Sequence, residues 1–164
     1  MENENRHRNS TGPSSRYLSF SLGEESYAVP LLTIKEVIAL PQVTAVPETP
    51  VYFLGLINLR GEIIPLIDLR KKLGIKHTNG RENSVIIFDM GTYSLSCVVD
   101  SVNSVLSPGH DEISPKPHIE GQKNTEYITG VYRKDDSLIL LMDLTALLNL
   151  DEKKVVTSSL KAAA

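Results

Sequence analysis

The chain carries a single cysteine, Cys97, among its 164 residues, so no internal disulfide can form. Cys97 lies in the alternating run Leu95-Ser96-Cys97-Val98-Val99, where a buried, inert thiol is expected. No window approaches the ~18 apolar residues of a membrane span, and Met1 to Ser10 lack the apolar core of a signal peptide. The expected location is therefore the cytoplasm, with no direct membrane insertion. A basic excess is also missing: 17 Lys and Arg against 20 Asp and Glu give a formal net charge of −3, which disfavours nucleic acid as a partner. The four histidines, His7, His77, His110 and His118, show no zinc-site spacing. Gly-rich phosphate loops, a Gly-x-Ser-x-Gly elbow and a Cys-His constellation are absent as well. Neither an enzymatic activity nor a cofactor or metal is expected.

What the sequence does contain is an internal echo. The segment from Leu54 to Arg70 places a charged turn between two apolar runs, and an ungapped offset of 130 − 55 = 75 carries Gly55 onto Gly130. The same offset brings Ile64 onto Ile139, Leu66 onto Leu141, Asp68 onto Asp143, Leu69 onto Leu144 and Leu73 onto Leu148. Six identities in twenty positions exceed the roughly one or two expected from composition. The turn does not repeat: Asn58-Leu59-Arg60-Gly61 falls on Arg133-Lys134-Asp135-Asp136. Fold is what the copies share, and function is where they differ. Phe20, Gly23 and Tyr27 are echoed by Phe88, Gly91 and Tyr93, so the chain reads as two related halves, about 16–78 and 83–150.

Residues 1–15 are polar and are expected to form a disordered tail. From Arg16 the pattern alternates, with Leu18, Phe20 and Leu22 on one face, a turn at Gly23-Glu24-Glu25 and a return strand at Tyr27-Ala28-Val29. Further strands are expected near 42–46, 54–59, 62–67, 84–90, 93–99, 101–106, 127–133 and 137–142. Short, regularly spaced strands favour an all-β barrel or sandwich over βαβ units. Two short helices are expected in equivalent places: Asp68 capping Leu69 to Leu73, and Asp143 capping Leu144 to Leu148. The proline-punctuated segment 107–126 is long for an unstructured loop. Residues 151–164 are expected to be a tail or a short helix.

Paired aspartates in two β-rich halves invite comparison with pseudo-dimeric aspartic proteases, which need Asp-Thr-Gly or Asp-Ser-Gly turns. The contexts here are Asp68-Leu69-Arg70 and Asp143-Leu144-Thr145, and helix capping accounts for both. The turn Asn58-Leu59-Arg60-Gly61 is the stronger candidate, because a guanidinium displayed on a tight hairpin suits protein recognition. Its bland counterpart is a solvated turn arginine. A second candidate is the Val- and Ile-rich stretch from Ile34 to Pro47, which includes Val43 and Val46 and is broken by Pro41 and Pro47. An apolar edge of this type offers a docking surface, or simply closes a barrel.

Together, Phe20-Ser21-Leu22-Gly23-Glu24-Glu25-Ser26-Tyr27-Ala28-Val29-Pro30, Ile34-Lys35-Glu36-Val37-Ile38, Val46-Pro47, Gly55 through Arg70, Val99-Asp100-Ser101-Val102 and Tyr127-Ile128-Thr129-Gly130-Val131 resemble the CheW family of bacterial chemotaxis coupling proteins. The resemblance covers about residues 16–150, and the Asn-Leu-Arg-Gly hairpin is its most specific part. It implies two small five-stranded β-barrels, allowing for strand exchange between them. It also implies a non-enzymatic adaptor that bridges the cytoplasmic tips of transmembrane chemoreceptors to the regulatory domain of the histidine kinase CheA, in arrays near the inner membrane. By motif match, Glu36 and Arg60 would pair beside the receptor-binding groove. Ile34, Val43 and Val46 would be neighbours of the kinase and receptor surfaces, with Asn58, Leu59 and Gly61 completing the hairpin. The chain as given has no room for a kinase ATP-binding domain or a fused receiver, so a stand-alone coupling protein is expected. The alternative is a small-ligand-binding or sensory double barrel outside chemotaxis, which calls for a deep polar cavity rather than an exposed hairpin and edge.

Overall fold

Alternating apolar residues fold into strands wherever one face can be buried, and this chain does so eleven times in the computed structural model, which describes residues 16–76, 83–116, 126–148 and 150–163. β1 (Tyr17–Leu22), β2 (Glu25–Pro30), β3 (Ile34–Ala39), β4 (Phe53–Leu59) and β5 (Glu62–Asp68) lead into the short helix α1 (Leu69–Leu73). β6 (Ser84–Asp89), β7 (Ser94–Val99), β8 (Ser101–Leu106), the two-residue β9 (Ile113–Ser114), β10 (Ile128–Lys134) and β11 (Ser137–Met142) come next, and α2 (Leu150–Ala163) closes the described chain.

The strands form two sheets, of six strands in the order β8-β1-β2-β11-β10-β9 and of five in the order β3-β6-β7-β5-β4. Neither sheet is closed by a strand pairing among the described residues: the edge strands β8 and β9, and likewise β3 and β4, do not pair with each other. Each sheet draws strands from both sequence halves. The hairpin β1–β2 lies between β8 and β11, while the hairpin β6–β7 lies between β3 and β5. The two exchanges are equivalent, because β11 runs parallel to β2 as β5 runs parallel to β7.

The 75-residue echo survives as geometry. β4 and β10 begin at Phe53 and Ile128, β5 and β11 begin at Glu62 and Ser137, and each hairpin carries a register shift in the same place, between Phe53 and Gly55 and between Ile128 and Gly130. The Asp68 amide donates to the Tyr52 carbonyl at 2.8 Å, and the Asp143 amide to the Tyr127 carbonyl at 2.7 Å. Both aspartates cap the turn that begins at the next residue, since Asp68 accepts from the Arg70 amide at 2.9 Å and Asp143 from the Thr145 amide at 3.0 Å. Only the first copy forms an α-helix, ending at Gly74 in the left-handed region (φ 69°). The second is a 3-10 turn over Leu144–Ala146, so the helix expected over 144–148 is shorter.

One further expectation changes. The strand expected near 42–46 is a single bridge, Thr44 to Leu56, and the strand in that region is instead β3. Proline explains this: Pro41, Pro47 and Pro50 supply no amide donors for a continuous ladder. Of the tail or short helix expected over 151–164, the chain forms the helix, α2, fourteen residues long from Leu150. The tail expected over 1–15, as well as His7, His77, His118 and most of the 107–126 segment's centre, lies outside the described residues.

The main core gathers Phe20, Leu22, Ile67, Leu69, Ile86, Phe88, Leu95 and Cys97 from both halves, together with Val156 of α2. A second cluster, Ile57, Ile64, Leu66, Val85, Ile87 and Val98, lies within the five-stranded sheet, and a third joins Ala28 and Leu106 to Tyr132, Ile139 and Leu141. Cys97 is fully buried, as expected, and burial pushes its thiol well above its ordinary pKa.

A buried charged cluster spans the exchange. The Arg70 guanidinium donates to Asp68 through Nε at 3.1 Å and Nη2 at 3.1 Å, and through Nη1 to Asp100 at 2.7 Å and to Asn83 at 3.1 Å. Asp100 also accepts from the Gly23 amide at 2.5 Å in the β1–β2 turn.

Candidate docking hairpin

The turn between β4 and β5 consists of two residues, because Leu59 pairs with Glu62. Arg60 and Gly61 are therefore its centre, at φ 51° and 87°, the paired positive values of a type I′ hairpin. Glycine adopts this conformation freely, whereas arginine does so at a cost, and such residues concentrate at functional sites. Leu59, expected at the tip, is instead the last residue of β4, half-buried against the second core cluster. Asn58 stays exposed and closes the turn by accepting from the Gly61 amide at 2.9 Å.

The Arg60 side chain crosses to β3 and pairs with Glu36 through both nitrogens, Nη1 to Oε1 at 3.3 Å and Nη2 to Oε2. It keeps 70% of its surface in solvent, against 33% for Glu36. The hydrogen bonds from Arg60 hold the Glu36 carboxyl below its ordinary value, and the bond to Glu36 raises the guanidinium, with Glu62 adding to that rise. A fork-on-carboxylate pair at this turn leaves the outer guanidinium edge in solvent, free to donate further hydrogen bonds.

The other sequence candidates sit differently. Ile34 and Val46 are partly buried against the main core, and Val43 against the second cluster. They support the hydrophobic interior more than they display an apolar edge. Apolar groups are left in solvent within the stretch from Ile34 to Pro47, at Val37 and Leu40, and outside it at Ile63, Leu32 (70% exposed) and Val51 (81%), the last two in segments that the sequence pattern does not single out. Their composition carries no signal of exposure, since the alternation of β3 looks the same whichever face is buried.

A small groove beside β2 and β6 is lined by Val29, Pro30, Phe88, Met90 and Leu144 together with Thr33, Asp89, Asp143 and Thr145. Its lining is mainly apolar, unlike the deep polar cavity that the ligand-binding alternative calls for. No group of three or more His, Cys, Asp or Glu among the described residues is arranged to hold a metal ion. No helix among the described residues is long and apolar enough to cross a membrane.

Comparison with known proteins agrees with the overall fold. The family model for the CheW-like domain matches residues 16–152. The chain is 35% identical to a chemotaxis protein CheW of Klebsiella aerogenes over 147 residues, 89% of each chain. It is 30% identical to a chemotaxis protein CheW of Bacillus subtilis over 137 residues, covering 82% of this chain and 86% of the relative. Among solved structures, the scaffolding protein TtCheW of Thermoanaerobacter tengcongensis superposes with a TM-score of 0.75 at 32% identity, covering 85% of this chain and 95% of the other.

Proposed function

The chain belongs to the CheW-like domain family, and from that premise we propose that it is a non-enzymatic adaptor coupling the cytoplasmic tips of chemoreceptors to the regulatory domain of the histidine kinase CheA. The observation that carries this reading is Arg60: a cation kept in solvent, in a conformation costly for arginine, and fixed by Glu36 from another strand. The equivalent turn between β10 and β11 holds Asp135 at φ 53°, so it is the pairing with Glu36, more than the backbone, that sets Arg60 apart. Asn58, Leu59 and Gly61 hold the hairpin's shape, and Ile34, Val43 and Val46 back the surface from which β3 and the hairpin project. Such an adaptor would act in the cytoplasm at receptor arrays beside the inner membrane, and the resemblance to two packed barrels describes how its sheets would curl around their cores.

The test is reconstitution of receptor-dependent kinase activation with the purified chain and its Arg60→Ala variant. An arginine desolvated at an interface is a common hot spot, so truncation should weaken assembly by about thirtyfold. A variant that assembles and activates the kinase like the parent would remove the hairpin from the docking surface.

A further inference from the structure

Glu36 has a neighbour whose placement requires explanation. In the pairing of β3 with β6, Ile34 faces Phe88 and Glu36 faces Ile87, so Lys35 is the extra residue of a β-bulge. Bulges re-aim side chains, and this one sends the Lys35 ammonium across the sheet, where Nζ donates to Ser94 Oγ on β7 at 2.6 Å. The Ser94 hydroxyl donates in turn to Glu62 Oε1 at 3.0 Å. Ser94 is only 4% exposed, and Glu62 is the residue directly after the Arg60-Gly61 turn.

Two consecutive residues of β3 thus hold the two charges that flank Gly61, with Glu36 on Arg60 and Lys35, through Ser94, on Glu62. We propose that Lys35, Ser94 and Glu62 are positioning residues that fix the hairpin so that Arg60 stays aligned on Glu36 and presents its outer edge to the partner. This rests on the reading of Arg60 as a docking residue, and it extends that reading to a network in which none of the three need touch the partner.

The physical case is geometric. A two-residue turn is tethered by its strands, but its side chains are free to swing, and a 70% exposed arginine loses rotamer freedom when it binds. Tying Glu62 to the sheet through a buried hydroxyl fixes one end of the turn before the partner arrives. Lowering the ordering cost in this way is preorganisation.

The experiment separates this network from the docking reading by using two readouts on the full chain. The first is the Glu36 carboxyl titration, followed by carbon-detected NMR in the isolated protein. Ser94→Ala changes no charge, so a rise of the Glu36 value toward the ordinary glutamate range reports loss of Arg60 alignment. Glu62→Ala removes the acceptor and gives a check of sign: removal of a nearby negative charge alone would lower the Glu36 value, whereas loosening of Arg60 raises it. The expected result is a rise in both variants and the parent value in Ser94→Thr, which keeps the hydroxyl. A Glu36 value unchanged in Ser94→Ala, or unchanged or lowered in Glu62→Ala, would overturn the proposal.

The second readout is binding to a soluble fragment of a chemoreceptor cytoplasmic tip. Ser94→Ala should weaken binding about two- to fivefold when Arg60 is present and not at all on an Arg60→Ala background. Equal losses on both backgrounds would overturn the link to Arg60. If Arg60→Ala itself binds like the parent, the docking reading fails, and the NMR titration still decides whether the network aligns Arg60.

Discussion

At the residue scale, the pair of Glu36 and Arg60 makes a definite statement about pH. The folded-state value of Glu36 lies below its ordinary one, so its contribution is present above the ordinary glutamate range and is lost as pH falls through the depressed value. Binding that depends on this pair should be flat from neutral into mildly acidic solution and should fall only below the ordinary range. In Arg60→Ala, the Glu36 titration should move back up. A Glu36→Arg, Arg60→Glu exchange restores the attraction with the charges reversed, so it should recover part of the binding lost in either single variant, which a double-mutant cycle would measure. Because both side chains lie at the surface, thermal melting should change little in any of these variants.

The equivalent elements of the two copies differ in how tightly each glycine and each aspartate is constrained. At Gly55 (φ 141°), an added Cβ would stand 2.1 Å from the Thr44 carbonyl oxygen, because the bridge to Thr44 passes directly over the strand. At its counterpart Gly130, the nearest atoms are the Ser114 carbonyl oxygen at 3.1 Å and Ile113 Cγ2 at 3.2 Å, a gap that small movements open. Gly55→Ala should therefore cost at least about 2 kcal/mol, and Gly130→Ala about 1 kcal/mol or less, measured by urea unfolding. The capping aspartates diverge in the same way. Asp143 is an ordinary cap, and Asp143→Asn should cost about 1 kcal/mol or less. Asp68 also anchors the buried Arg70 cluster, so Asp68→Asn should cost about 3 kcal/mol, the scale of breaking a buried ion pair.

Those differences mark the limit of what the sequence made legible. The offset of 75 exposed the paired hairpins and caps, because strand starts, bulges and N-caps are local and each leaves a residue signature. Arg60 was legible for the same reason, since Asn and Gly bracket the tip. The Lys35 bulge was not, because a bulge is defined by the partner strand's register, and that partner lies about fifty residues away. Nor was the depth of Asp68 legible: its cap looks like that of Asp143 until Arg70 and Asp100 are brought beside it.

At the scale of the whole molecule, the exchange of hairpins decides how the chain can fold. In the first half, β1 and β2 have each other as their same-half partners, since β8 and β11 come from the second half. The hairpin β6–β7 is in the same position, with β3 and β5 both supplied by the first half. A lone two-stranded hairpin is marginal in water, so neither half can keep its hairpin ordered by itself. The half comprising residues 16–76 also leaves Phe20, Leu22 and Ile67 without Ile86, Phe88 and Leu95, and splits Asp100 from Arg70. Fragments spanning 16–76 and 83–163 should therefore each lack dispersed amide resonances and a cooperative melt when expressed separately. Mixed at equal concentration, they should recover the spectrum of the intact chain, with a melting temperature that rises with concentration because folding has become bimolecular. A first fragment that folded cooperatively alone would show that the exchange is dispensable, and that β1–β2 finds its partners within its own half.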